Sequence, residues 1–140
     1  MIRLHGTCVA RRGAGVLLLG PPGCGKSDLA LRLLGREFEL VADDQVLLEG
    51  LQARAPQPLA GLLEVRGLGI IRRSYALSAT LHLAVLLAQG ERIPLPERHE
   101  ETGLSLVRIP PDAPSAVDRV ALALECALGN VTQVAGAFAQ

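Results

Sequence analysis

The chain has 140 residues, 49% of them hydrophobic and 20% charged, with fourteen basic side chains set against fourteen acidic ones. That length suits one domain with a true core, and the balanced charge leaves no net field to draw the protein onto nucleic acid or an anionic membrane. The only aromatics are Phe38, Tyr75 and Phe138, so the core is built from Leu, Val, Ile and Ala, and stacking platforms for single-stranded nucleic acid are scarce.

Lys26 is the sole lysine beside thirteen arginines. The cysteines, Cys8, Cys24 and Cys126, are odd in number and far apart. They suit neither a disulfide framework nor a zinc site, and point to a reducing compartment. Residues 1–13 lack the apolar run of a signal peptide, and no stretch reaches the length of a membrane span. The reading is a cytoplasmic protein with no membrane partner.

In chain order, residues 6–10 are expected to pair antiparallel with residues 16–19, an apolar run bounded by turn residues and so buried on both faces. A helix follows over 26–34, with Leu29, Ala30, Leu33 and Leu34 on its apolar side and Gly35 as its stop. Residues 38–42 read as a second strand ending on Asp43 and Asp44. Strand, glycine loop, helix and strand within this span make a βαβ unit in an α/β fold with an at least partly parallel sheet. Residues 46–48 extend a strand, and 52–59, with Pro56 and Pro58, read as an exposed loop. Strands are expected at 62–65 and 104–109, and at 81–87 a strand with a helix as the alternative; residues 91–101 form a loop. A late helix spans 115–128, capped by Ser115 and closed by Gly129. The last eleven residues show no pattern and read as a mobile tail of a single domain covering 1–140.

Residues Gly20, Pro21, Pro22, Gly23, Cys24, Gly25, Lys26 and Ser27 fit the pattern GxxxxGK[ST] in full. Glycines let backbone N–H groups turn inward around a phosphate, which also meets the positive end of the following helix. The lysine reaches the β- and γ-phosphates and the Ser27 hydroxyl can ligate Mg²⁺. A glycine-rich turn with an incidental lysine is the bland alternative, and the strand-to-helix context weighs against it. Asp43 and Asp44, at the carboxyl end of the neighbouring strand, are placed to face the same phosphate. One then serves the metal and the other the nucleophile, the choice depending on the pleat; a solvated turn is the alternative. Glu64 interrupts an apolar strand, so either a metal or an arginine answers it, or it stands on an edge facing water.

His5-Gly6, the loop at 20–27, Val41-Ala42-Asp43-Asp44 and Leu63-Glu64-Val65-Arg66-Gly67-Leu68-Gly69-Ile70-Ile71 together resemble the catalytic domain of the HPr kinase/phosphorylase family. The resemblance runs from residue 5 to residue 71. It implies a P-loop core with a mixed sheet, related to phosphoenolpyruvate carboxykinases. The implied activity is phosphorylation of a serine of the phosphocarrier protein HPr, with ATP or pyrophosphate and Mg²⁺, and phosphorolysis of that phosphoserine by phosphate. By the same resemblance Asp44 is the acid/base, Lys26 holds the transferred phosphate, Ser27 and Glu64 ligate the metal, and His5 is catalytic; with Asp44 so assigned, Asp43 is the member of the pair beside the metal. Arg92 matches the charge-stabilising arginine, with Arg98 its competitor, and residues 63–72 belong to the region tied to dephosphorylation. A compact version similar to those of alphaproteobacteria, acting in a phosphotransferase-linked pathway, is expected. The implied assembly is a homo-oligomer, hexameric in the family's long form. The competing readings are a small-molecule P-loop kinase and a non-catalytic nucleotide-binding regulator. Cys24, inside the loop at a helix N-terminus, is either a redox-sensitive thiol or a small tolerated residue.

Overall fold

In the computed structural model, which describes residues 1–139, β1 (Ile2–His5), β2 (Thr7–Arg11) and β3 (Ala14–Leu19) open the chain. β2 and β3 pair antiparallel from Thr7↔Leu18 to Arg11↔Ala14. Their two-residue turn, Arg12 and Gly13, has φ of +53° and +80°, the combination whose twist matches that of the flanking strands. Helix α1 (Lys26–Leu34) follows and is stopped at Gly35, as its periodicity predicts. It leads into β4 (Glu39–Ala42), which pairs antiparallel with β2. β3 and β4 therefore run parallel, as the βαβ reading requires, with β2 between them.

β5 (Gln45–Glu49) pairs antiparallel with β1 and with β6 (Gln52–Arg54). β6 and a 3₁₀ turn over Gln57–Leu59 occupy the segment expected as an exposed loop. The strand escapes a reading of the sequence because only Ala53, fully buried, points inward between two polar neighbours, and the nearby prolines dominate the local signal. β1 is likewise not anticipated: as an edge strand with exposed residues it carries no apolar run.

β7 (Leu62–Val65) and β8 (Gly69–Arg72) form a separate two-stranded hairpin. β9 (Ala79–Leu86) is a strand, not a helix, and pairs parallel with β3 and with β10 (Leu106–Arg108). Its antiparallel neighbour, β6, meets it at Ala79 and Thr80, whereas β10 meets it at residues 84–86. The sheet order is β1-β5-β6-β9-β3-β2-β4, with β10 branching from β9. Helix α2 (Ala116–Ala127) closes the fold. Ser115 does not cap it with its hydroxyl, which instead accepts a hydrogen bond from Arg119 Nε at 2.8 Å. At the other end Gly129, at φ +81°, and Asn130 donate back to the Cys126 and Glu125 carbonyls, which satisfies carbonyls the helix leaves open.

The core has two clusters. On one face of the sheet, Val16, Leu18, Leu83 and Val85 pack against Leu29 and Leu33 of α1 and Val120 and Leu124 of α2. On the other, Cys8, Leu17 and Ala84 meet Val41, Val46, Leu48 and Ala53, so the β4–β6 half of the structure covers that face where helices do not. β3 is thus buried on both faces, as its apolar run predicts. Residues 130–139, expected as a patternless tail, bring Ala137 and Phe138 against the first cluster, and Gln140 lies outside the described residues. Among the described residues no helix is long and apolar enough to cross a membrane.

Leu17 has no exposed surface, so Leu17→Ala is expected to lower stability by about 3 kcal/mol, read from urea unfolding. Complete burial pushes the Cys8 thiol up to about 12. Iodoacetamide at pH 8 is therefore expected to label Cys24 and Cys126, both partly exposed, and to leave Cys8 unmodified in the folded protein. Mass spectrometry of the labelled chain checks this.

Candidate functional site

Four strands, β3, β4, β9 and β10, end at one edge of the sheet. Ligands of parallel sheets collect at such carboxyl ends, and the loops leaving that edge carry most of the chemistry read from the sequence. After Leu19 the chain turns through Gly20 to Gly25 and enters α1. Gly20 is at φ +152°, and a Cβ there would come within 2.5 Å of Cys24 Sγ. Only glycine permits this turn. Gly25, at φ +107°, precedes the helix, whose first internal bond runs from Leu29 N–H to the Gly25 carbonyl at 2.9 Å. The N–H groups of the first turn have no acceptor within the helix and point toward the loop, where an anion would be held. The Lys26 ammonium, only 7% exposed, crosses the loop and donates to the Gly20 and Pro21 carbonyls at 2.7 and 3.0 Å. It also lies 3.8 Å from Cys24 Sγ.

The adjacent aspartates part company. Asp43, buried beside α1, accepts hydrogen bonds at Oδ1 from Ser27 Oγ at 2.7 Å and Thr7 Oγ1 at 3.0 Å, and at Oδ2 from the Glu64 backbone N–H at 3.1 Å. Asp44 turns outward. Its carboxylate stands 3.4 Å from His5 Nδ1, with the two side chains 63% and 47% exposed. Gln45 N–H donates to the Asp43 carbonyl at 2.8 Å, closing a three-residue turn on Asp44, and Asp44 takes φ +69°. That conformation is strained for any residue with a side chain, and strain of this kind gathers at functional sites. The Asp44 carbonyl is fixed by Gly6 N–H at 3.0 Å.

Glu64 is exposed on β7. The costly buried carboxylate that the apolar run suggests does not arise, because the strand belongs to a hairpin open to water; its backbone N–H is what reaches Asp43. Arg92 lines a cavity against α2 together with Ile109 and Arg119. Arg98 donates to the Gly103 carbonyl at 3.1 Å and sits opposite Ser105 in an isolated bridge. Neither arginine is hydrogen-bonded to Lys26, Asp43 or Asp44. The Glu97–Arg108 pair, doubly bonded at 3.0 and 3.1 Å, holds the Glu97 carboxyl below its ordinary value. Thr7, fully buried and bonded to Asp43, is a site residue that sequence reasoning misses. Its only signal is a hydroxyl in an otherwise apolar strand after Gly6.

A hard cation suits Ser27. Its single hydroxyl hydrogen goes to Asp43, so the lone pairs that remain can only accept. Three hydrogen bonds occupy the Asp43 oxygens, so this carboxylate orients the hydroxyl and a hydration shell more readily than it binds metal directly. Among the described residues no three His, Cys, Asp or Glu side chains converge as a metal cage.

Comparison with known proteins converges on one family. A family model described as the HPr Serine kinase C-terminal domain matches residues 1–85. The HPr kinase/phosphorylase of Bordetella pertussis is 41% identical over 110 residues, covering 66% of this chain and 36% of the relative. That of Clostridium tetani is 42% identical over 90 residues, covering 60% and 30%. The chain thus spans about a third of the length of these curated relatives. The solved HPr(Ser) kinase/phosphatase from Coxiella burnetii superposes with a TM-score of 0.68 at 24% identity, covering 93% of this chain and 90% of that one. At that identity the likeness is one of fold, and it agrees with the mixed α/β sheet described above.

Asp43 and Asp44 are expected to separate in their effect on stability. Asp43→Ala leaves the Thr7 and Ser27 hydroxyls and the Glu64 N–H without their acceptor and should cost about 2–3 kcal/mol. Asp44→Gly relieves the positive φ and should raise stability by about 1 kcal/mol. Urea unfolding of the two variants beside the parent protein checks both signs.

Proposed function

Because the chain belongs to the HPr Serine kinase C-terminal domain family, we propose that it transfers a phosphoryl group from ATP to a serine hydroxyl of HPr or an HPr-like phosphocarrier. The same site run backwards accepts inorganic phosphate as the attacking group and releases pyrophosphate from the phosphoserine; pyrophosphate is then an alternative donor in the forward direction. The observation that carries the reading is the division of the aspartate pair, Asp43 on Ser27 and Asp44 on His5.

In this reading the loop at 20–27 is a P-loop, in a core related to that of phosphoenolpyruvate carboxykinases. Its N–H groups and Lys26 neutralise the β- and γ-phosphates, for which Lys26 must exchange the Gly20 and Pro21 carbonyls for phosphate oxygens. Ser27, oriented by Asp43, would hold Mg²⁺ with the help of Glu64, and the ion when bound would supply charge neutralisation on the phosphate oxygens. Asp44 accepts the proton of the attacking serine hydroxyl as the new O–P bond forms and the donor's bridging P–O bond breaks. In reverse it returns the proton to the departing serine oxygen. Its exposure suits a group that must meet a protein side chain, and His5, 3.4 Å away, is the side chain beside it. The charge-stabilising arginine is assigned to Arg92, with Arg98 as competitor, both on the excursion between β9 and β10. The exposed β7–β8 hairpin, joined to the site through Glu64 N–H and Asp43, faces the acceptor. The reading includes a cytoplasmic setting and assembly with further copies of the chain.

The test is a transfer assay with purified protein, labelled ATP, Mg²⁺ and HPr from the same source. Label is expected on one HPr serine and lost when that serine becomes alanine; bound nucleotide without labelled HPr overturns the assignment of substrate. Asp44→Asn is expected to reduce transfer by at least about a hundredfold, within the range that removal of a general base costs, while nucleotide binding by calorimetry stays within twofold.

A further inference from the structure

We propose that the cavity between α2 and residues 133–138 is a second ligand site, built for a small organic anion with an apolar body, in chemical class a medium-chain carboxylate. The cavity holds about 250 Å³, smaller than the sites that take drug-sized molecules. Val107 and Ile109 form its floor, Ala123 and Phe138 its walls, and Arg92 and Arg119 bring two positive charges to it, with no acidic side chain among the described residues of the lining. Both arginines are exposed on the side open to solvent. The bond from Arg119 Nε to Ser115 Oγ steadies the guanidinium, while its terminal amino groups carry further donors in the fork that suits a carboxylate.

The two halves of the lining choose the ligand together. An apolar cavity gains by taking up an apolar group in place of poorly bonded water, and a neutral hydrocarbon would leave both guanidiniums without a counter-charge. A bare inorganic anion would use the arginines and leave the floor empty. A carboxylate on an aliphatic chain of modest length satisfies both. Arg92, assigned above to the transfer reaction, also lines this cavity, whereas Arg119 and the apolar lining are no part of that assignment, and the cavity stands whether or not the transfer reaction does.

Its floor nonetheless touches that machinery. Ile109 N–H donates to the Leu86 carbonyl at 3.0 Å, and two residues on Pro111 closes over the start of α1. The Pro111 carbonyl accepts from Arg32 at 2.6 Å, and its ring lies 3.6 Å from where a Cβ on Gly25 would stand. A ligand pressing on Ile109 therefore bears on the strap that seats the phosphate loop, and occupancy of either site changes affinity at the other by the same factor.

The experiment titrates octanoate into the full chain by calorimetry, with octylamine as the cation of like shape. Saturable one-to-one binding of octanoate, at least about tenfold tighter than that of octylamine, is expected. Leu122→Glu, which sets a carboxylate on an exposed position of the lining, should weaken it about tenfold or more, and Arg119→Ala about fivefold, both in the range of a lost charge-assisted contact. Octanoate at saturation should shift the dissociation constant for ATP with Mg²⁺ about threefold or more. Equal binding of octanoate and octylamine, or octanoate binding untouched by both variants, overturns the anion site. Octanoate binding that leaves ATP affinity unchanged overturns the strap. If ATP itself fails to bind, the proposed transfer function falls while the octanoate titration still decides the cavity.

Discussion

Three pieces of chain far apart in sequence end on the carboxylate of Asp43: Thr7 from β2, Ser27 from α1 and the Glu64 N–H from β7. A buried carboxylate is tolerable only when its oxygens are answered, and here each answer comes from a different structural unit. The bonds therefore fix where the helix after the glycine loop sits relative to the sheet, and where the hairpin sits relative to both. The orientation of the Ser27 hydroxyl follows from the same bonds. Its one hydrogen is committed, and its acceptor side is left facing the loop in which phosphate would lie.

The same turn that buries Asp43 forces Asp44 outward at positive φ. Two adjacent carboxylates on a regular strand would point to opposite faces of the sheet. At the strand's end the three-residue turn does something different, holding one inward against α1 and displaying the other beside His5. Strain at Asp44 is kept in place by the Gly6 N–H on its carbonyl and by the Gln45 N–H on the carbonyl before it. A glycine would relax the backbone and remove the acid. Local stability and the chemistry proposed for Asp44 therefore pull in opposite directions.

Much of this is legible in the chain. The 20–27 motif, the helix from 26 to 34 and the antiparallel pair before it carry strong local signals: glycines where the backbone must invert, period 3.6 after them, and an unbroken apolar run in β3. The residues from His5 to Ile71 that carry the family resemblance lie within the matched region. What stays illegible depends on partners rather than on pattern. β6 is recognisable only once β5 and β9 flank it, because a single buried alanine writes no alternation. Thr7 becomes a site residue only through Asp43, thirty-six positions away. Ser115 looks like a cap in sequence, yet its hydroxyl is taken by Arg119. Glu64 looks like a buried charge because sequence cannot tell a strand inside a sheet from one in a free-standing hairpin.

That hairpin shows how the site can govern its own surface. Two strands alone are marginal in water, and β8 is exposed along its whole length, with Ile70 71% accessible and Leu68, in the turn before it, 70%. The hairpin is held to the rest of the structure by the Glu64 N–H on Asp43 and by Leu63 buried beneath it, while the Arg73 N–H on the Gly61 carbonyl at 2.7 Å only closes the hairpin on itself. Elements held by so few contacts sit at the low end of local stability. Any event that redirects the Asp43 oxygens, such as a cation drawing on Ser27, changes the hydrogen bond that ties the hairpin to the site. The apolar strip with Arg66, Arg72 and Arg73 beside it would then order or loosen with the state of the glycine loop at 20–27. Coupling of this kind needs no long pathway, since one carboxylate belongs to both structures.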